Sequence, residues 1–476
     1  MISFAEYVSA DASAWAERIR QGEVTATEVL EAAIARAEAV NPRINAIATK
    51  DYDRARARAQ QPLGAGALAG LPWATKDLTQ TVGGLRLTNG SRTYANFVPA
   101  TDSVLIKRFR AAGLNIFCST TAPEFGCAAT TESTLFGATR NPWDLTRTSG
   151  GSSGGASALV AAGALPAAHA TDGGGSIRGP ASCCGLFGLK PSRGRVPVAP
   201  GRTDGWLGCS VSHAVTRSVR DSAAILDATH GPEHGSRFVA PPPKGKFLDA
   251  VRREPGRLRV AFHWQTRDDI VPDPECVAAV QSSAKLCEQL GHIVEPASPA
   301  LDHRKLALAF GRMVAVSTAA AAHDRARELG VDVMALDFEQ VTREYVELAK
   351  GITPFDLLAA DDAFQDAAIT VSHFQETYDV ILSPTMGRPP VPLGTACLMQ
   401  SVKAYADATV PFSCFTAIYN ETGQPAMTVP LHWSKERLPI GVQFAARLGE
   451  EELLFSLAAQ LEQARPWFAK LPPDMS

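Results

Sequence analysis

Two segments dense in glycine and serine lie close together in this chain: "TSGGSSGGAS" at 148–157 and "TDGGGSIRGP" at 171–180. The residues between them are small and apolar. They read as a helix, a break at Pro166 and a strand ending in "AAHATD". Such a unit returns the chain beside its own start. Ser152 in the first segment and Ser176 in the second could then face each other, with glycines letting the backbone turn tightly around both. Upstream, the apolar strand "GLPWAT" could deliver the amine of Lys76 into the same place. A chain with this constraint is an α/β protein whose strand-end loops carry the chemistry.

The rest of the sequence agrees with that class. "TATEVLEAAIARAEAVNP" opens with Thr25 and Glu28 in capping-box register, predicts a helix that stops at Pro42, and stripes Val29, Leu30, Ala33, Ile34 and Ala37 along one face. "SVLIKRFRAAGLNIFCST" reads as helix, glycine stop and strand. "RLRVAFHW", "YDVILSPT" and "QPAMTVPLHW" read as strands. "DPECVAAVQSSAKLCEQLG" is a helix with Asp273 at the N-cap and Pro274 at its first position. "EEELLFSLAAQLEQA" closes the chain as a helix. Residues 303–376 are Ala-rich and mostly helical, and 230–246, "HGPEHGSRFVAPPPKGK", reads as a surface loop. We expect one domain over 1–476 with a helical excursion.

Composition limits the function. The formal net charge of −3 favours neither nucleic acid nor a membrane surface as partner. Nine scattered cysteines form no C-x-x-C pair, which predicts reduced thiols and a cytoplasmic protein. No basic-then-apolar leader opens the chain, and the apolar run "ALVAAGALPAAHA" is too short to cross a membrane.

Several apparent motifs fail. His230 to His234 spell H-x-x-E-H, but Gly231 and Pro232 oppose the helix that zinc binding there requires. Ser282 and Lys285 have S-x-x-K spacing inside an amphipathic helix, without the partner motifs of β-lactamases. Ser176 lacks the second glycine of a nucleophile elbow, Arg178 standing there instead. His169, the nearest histidine, lies among alanines and reads as a core residue rather than a base.

The stretch "GGSSGGASALVAAGALPAAHATDGGGSIRGPASCCGLFGLKPSRGRVP" resembles the signature of the amidase signature family. "GLPWATKDL", "LLAADDAF", "YDVILSPT", "NETGQPAMTVP" and "LPIGVQFAARLGEEELLFSLAAQLEQARPW" follow the same pattern in order, so the resemblance spans about residues 5–466. It implies an amidase signature fold, with one large mixed β-sheet covered by helices on both faces. It also implies a Ser–cis-Ser–Lys triad: Ser176 as nucleophile, Ser152 as bridging serine after a cis peptide bond, and Lys76 as base. A lysine can accept a proton only when neutral, and burial in a dry pocket would lower its pKa from about 10.4 towards that state. The resemblance further implies an oxyanion hole from the amides of Gly173, Gly174, Gly175 and Ser176. Asp172 and Arg178 are then structural charges holding the loop, and Ser153 a hydrogen-bonding support. Many members carry Thr or Ile at the position of Gly173. With "SVSHAVTRSVRDSAAILDA", this departure resembles the subgroup that includes 6-aminohexanoate cyclic-dimer hydrolase and broad bacterial amidases or urethanases.

The expected function is hydrolysis of C–N bonds in aryl, alkyl or lactam-type amides through an acyl-enzyme, without metal or other cofactor. Carbamates and esters are open to the same chemistry. The expected partners are such a small molecule and water, with a homodimer allowed by the resemblance. Phe125, Gly126, Trp206, Met386, Tyr419 and Asn420 are candidate pocket residues. The alternatives are the amidase subunit of a tRNA-dependent amidotransferase, and a non-catalytic anion-binding nest. The nest would need no Lys76, Ser152 and Ser176 together.

Overall fold

The computed structural model describes residues 2–62, 64–198 and 201–475. Eight strands form one mixed sheet. From edge to edge they are Ile293–Pro296, Arg259–Phe262, Val380–Pro384, Pro439–Ala446, Ala426–Trp433, Phe187–Lys190, Val211–Thr216 and Ala167–Asp172. The first three run parallel and the remaining pairings are antiparallel. A smaller sheet orders Ile47–Lys50, Asn115–Thr120 and Pro72–Lys76. The two sheets meet where the Lys76 backbone N–H donates to Nδ1 of His169 on the edge strand, at 3.1 Å.

Helices lie on both faces of the large sheet, as one pair of adjacent residues demonstrates. Phe187 stacks towards Phe455 of the helix Glu451–Ala464, at 6.4 Å between ring centres. Its neighbour Gly188 lies under Ala181 of the helix Arg178–Cys184, so close that a Cβ would come within 2.7 Å of the alanine methyl. Successive residues of a strand point to opposite faces, so these helices are on opposite sides. Burial on both faces also explains why strands such as Val211–Thr216 and Val380–Pro384 are buried at every position.

The helix with the predicted capping box spans Ala26–Ile44, and its five predicted stripe residues are all buried. It continues two residues beyond Pro42 rather than stopping there. Pro42 sits in the last turn, where its missing N–H forfeits only one intrahelical bond. Asn45 ends the helix at φ 51°, its N–H donating to the Asn41 carbonyl at 2.8 Å.

Three helices, His303–Leu329, Gln340–Ala349 and Pro354–Thr377, form a group in which the second and third pack on the first. Leu306, Ala309, Met313 and Val314 of the first share a core with Val341 of the second and Ala360 and Phe364 of the third. By length and composition His303–Leu329 is apolar enough to cross a membrane, which the short run noted in the sequence was not. Alanines supply that character, and in the fold its apolar line packs against these two helices and lines a cavity.

Candidate active site

Lys76 ends the strand Pro72–Lys76, and it is held at both its backbone and its side chain. His169 accepts its N–H, and Nζ donates to Ser152 Oγ at 2.7 Å and to Thr171 Oγ1 at 2.8 Å. His169 and Thr171 are two residues apart on one strand and so share the face that meets the lysine. The amine is 1% exposed, and burial pushes its pKa down from 10.5 to about 7, with the Asp172 charge opposing part of the fall. His169 is buried too, edge-on to Phe109 at 5.6 Å, and burial brings its pKa down to about 3. It braces the lysine as a neutral ring.

Ser152 follows a cis peptide bond between Gly151 and Ser152. The backbone there is tightly enclosed, since a Cβ on Gly151 would lie 2.3 Å from the Thr130 carbonyl oxygen. Ser153 accepts the Thr171 N–H at 3.3 Å and donates to the Thr171 carbonyl at 3.2 Å, tying the first glycine-rich loop to the strand that leads into the second.

The second loop is organised by Asp172. Its carboxylate accepts the N–H of Gly175 at 2.7 Å and of Ile177 at 3.0 Å, and pairs with Arg178 at 2.9 Å. Arg178 also donates to the Thr416 carbonyl, Gln443 and Asn420. Burial alone would raise the Asp172 pKa, but the Arg178 charge and these hydrogen bonds outweigh it and hold the carboxyl well below its usual range. One of the four amides expected in an oxyanion hole is thereby redirected: Gly175 N–H serves Asp172. The amides of Gly173, Gly174 and Ser176 have no protein acceptor among the described residues.

Ser176 is half-buried, has no hydrogen-bond partner among the described residues, and lines a cavity of about 540 Å³. Gly151, Gly174 and Gly175 form the floor beside it. Leu306, Phe310 and Val314, spaced by four along one helical face, form a wall, and Tyr345, Tyr405 and Ile418 also line the cavity. Two aromatic rings close directly on the loop. A Cβ on Gly173 would lie 3.0 Å from the Trp206 ring, and one on Gly174 would lie 2.6 Å from Phe310. The small residue at 173 therefore makes room for Trp206, which meets Phe310 edge-on at 6.2 Å.

Of the six pocket candidates, Gly126 and Trp206 line this cavity. The other four are corrected by the structure. Phe125 turns away at φ 49° to pack against Tyr94 and Phe338. Met386 is buried with Cys183, Val391 and Phe412. On the short helix Ile418–Thr422 the cavity face is Ile418 and Glu421, so Tyr419 turns to Ala426 and Ala445. Asn420 belongs to the loop scaffold, donating to the Asp172 carbonyl at 3.0 Å and accepting from Arg178. The sequence reading missed Thr171, Thr416 and Gln443, which need tertiary contacts to be seen. It also missed the wall residues 306, 310 and 314, whose four-residue spacing was visible.

Comparison places the chain among hydrolases of amide C–N bonds. The chain belongs to the amidase family, whose profile, described as Amidase, matches residues 28–455. It is 37% identical over 475 residues to 6-aminohexanoate-cyclic-dimer hydrolase of Paenarthrobacter ureafaciens, covering 97% of this chain and 96% of that one. The solved structure of 6-aminohexanoate cyclic dimer hydrolase superposes with a TM-score of 0.93 at 35% identity, over 98% of this chain and 99% of that one. A bacterial aryl acylamidase of the amidase signature family gives 0.86 at 26% identity, over 98% and 96%. The chain is thus an amidase with the amidase signature fold.

Proposed function

We propose that the enzyme cleaves small aryl, alkyl or lactam-type amides through an acyl-enzyme on Ser176. The observation that carries this reading is a buried lysine amine hydrogen-bonded to Ser152, beside a cavity into which Ser176 opens. A lysine whose pKa is near 7 is substantially neutral at physiological pH and can accept a proton. In the proposed reaction Ser176 Oγ attacks the carbonyl carbon, its proton passing through Ser152 to Lys76. The amides of Gly173, Gly174 and Ser176 hold the developing oxyanion. As the C–N bond breaks, the same proton returns to the leaving nitrogen. Water then repeats the sequence on the ester, releasing the acid and restoring Ser176.

The apolar wall favours uncharged chains on either side of the bond, and the lactam-type preference draws on the cyclic-dimer hydrolases. Carbamates and esters pass through the same intermediate. The free state of all nine cysteines supports a reducing, cytoplasmic setting, and the homodimer remains a proposal on family resemblance alone. The amidotransferase reading has support at the level of fold only, through a glutamyl-tRNA(Gln) amidotransferase structure from Thermotoga maritima that is 24% identical.

The test is a panel of an anilide, a primary amide, linear and cyclic aliphatic amides, an aryl carbamate and an aryl ester, run with the wild type and Ser176→Ala. Turnover of at least one class, lost in the variant, together with acyl mass on Ser176 in quenched wild type, is the expected result. Equal turnover by the variant overturns the assignment of Ser176.

A further inference from the structure

Glu421 is a carboxylic acid in the cavity wall that no step of the proposed reaction uses. The residue is 3% exposed, and among the described residues nothing hydrogen-bonds to its carboxyl group. Its backbone is fully engaged, the N–H with the Ala417 carbonyl at 3.0 Å and the carbonyl with Arg193 at 2.7 Å. Arg193 stays on that backbone side, its other donors going to the carbonyls of Gly208 and Asn420. Neither carboxyl oxygen is sealed in the core; the group faces the cavity, where nothing among the described residues pairs with it. A bound molecule can supply the missing partner.

We propose that Glu421 recognises a second, neutral carbonyl–N–H group of the substrate, a secondary amide or carbamate remote from the bond that is cleaved. This rests on the amidase reading above and adds the substrate feature that the apolar wall alone would not select. Burial pushes the Glu421 carboxyl up to about 8, so at neutral pH it carries its proton and offers one donor and one acceptor side by side. A trans secondary amide, whose N–H and C=O point apart, meets this acid through one of the two, its carbonyl accepting the acid proton or its N–H donating to the acid carbonyl. A substrate ammonium would fit less well, because it would meet an uncharged acid in a cavity whose lining already carries Arg267 and Arg312. Thr416, whose Oγ1 donates to the Gly174 carbonyl at 2.6 Å, fixes the near end of the same segment to the loop of Ser176. Glu421 lies five residues further on, roughly 7 Å at helical rise, which places the recognised group several bonds from the scissile carbonyl.

The experiment compares matched substrates. Hexananilide, 6-acetamidohexananilide and 6-aminohexananilide vary the acyl end; N-hexylbenzamide and N-(6-acetamidohexyl)benzamide vary the amine end. In wild type, kcat/KM for an acetamido substrate should exceed that of its methyl-ended partner by about tenfold in at least one series, mainly through KM. Glu421→Leu should close that gap, and Glu421→Gln, which keeps a donor and an acceptor, should restore most of it. A gap absent from both wild-type series, or persisting in Glu421→Leu, overturns the proposal. So does a preference for the ammonium substrate that Glu421→Gln abolishes, which would make the site cationic. Should Glu421→Leu fail to fold, the wild-type series and Glu421→Gln decide. Failure of wild type on every substrate here and in the earlier panel would instead count against the amidase mechanism itself.

Discussion

Replacing Lys76 by methionine should abolish turnover and make the protein more stable in acid than in base, relative to wild type. The folded lysine has a pKa near 7 against an ordinary 10.5, with burial as the main cause. The unfolded chain therefore binds more protons than the folded one between those values. Wild-type stability rises with pH across that window, and the full penalty is felt below it. Linkage puts the penalty at about 4–5 kcal/mol near pH 6, falling to about 2 kcal/mol near pH 9. Methionine removes this penalty but also removes the donor to Ser152 and Thr171, and each buried hydroxyl left unpaired costs about 1–3 kcal/mol. That offset does not depend on pH, whereas the lysine contribution does. Other buried carboxyls that titrate near neutrality, such as Asp77 and Asp221, are common to both proteins and cancel in the difference. The measurement is urea unfolding of wild type and Lys76→Met at a series of pH values under reducing conditions. The advantage of the variant should shrink by about 2–3 kcal/mol from pH 6 to pH 9. A difference that is flat with pH, or that grows with it, would show the lysine charged in the folded enzyme and remove the base from the mechanism.

The same titration should govern catalysis: kcat/KM should rise with pH through about 7 and level off above it, as Lys76 loses its proton. A limb near 10 would mean an unperturbed lysine. Arg178→Met should destabilise the fold by about 3–5 kcal/mol, because it leaves the Asp172 carboxylate buried and unpaired; denaturant midpoints check it, and a change below about 1 kcal/mol contradicts the scaffold role. Gly175→Ala should lower both Tm and activity. Gly175 sits at φ 132°, and a Cβ there would fall 2.2 Å from Thr416 Oγ1. Adding Thr416→Gly should recover only the part of the loss due to that clash, the backbone strain remaining.

The elements and the residues that meet at Lys76 were legible in the sequence for different reasons. Capping residues and stripes are local, so the helices around Ala33 and Val280 could be read directly, while Pro42 misled because its effect depends on how near a helix end it falls. Family resemblance points to Ser152, Ser176 and Lys76, and the structure joins Lys76 to Ser152; resemblance carries positions without their contacts. Nothing local marks Thr171 as the second acceptor for the lysine amine, or Gly175 N–H as a donor to Asp172. Tyr419 and Asn420 stand next to cavity residues in sequence, yet one helical step turns them into the core and the scaffold. Nothing local marks Glu421 either, since a charged residue is ordinarily exposed and this one is buried.

The cavity has two builders that lie far apart in the chain. Its floor comes from the loops at 151 and 174–176, anchored in the sheets, whereas the wall at 306, 310 and 314 belongs to helices that supply no strand. Mutations at 306 and 314 can reshape what is admitted while the loop of Ser176 keeps its anchors, whereas Phe310 packs on Gly174 and joins wall to floor. Substrate range can then drift, or be redirected by libraries confined to the cavity face of one helix, without first passing through inactive intermediates. A lineage of such enzymes would diversify at the wall and stay uniform at the floor.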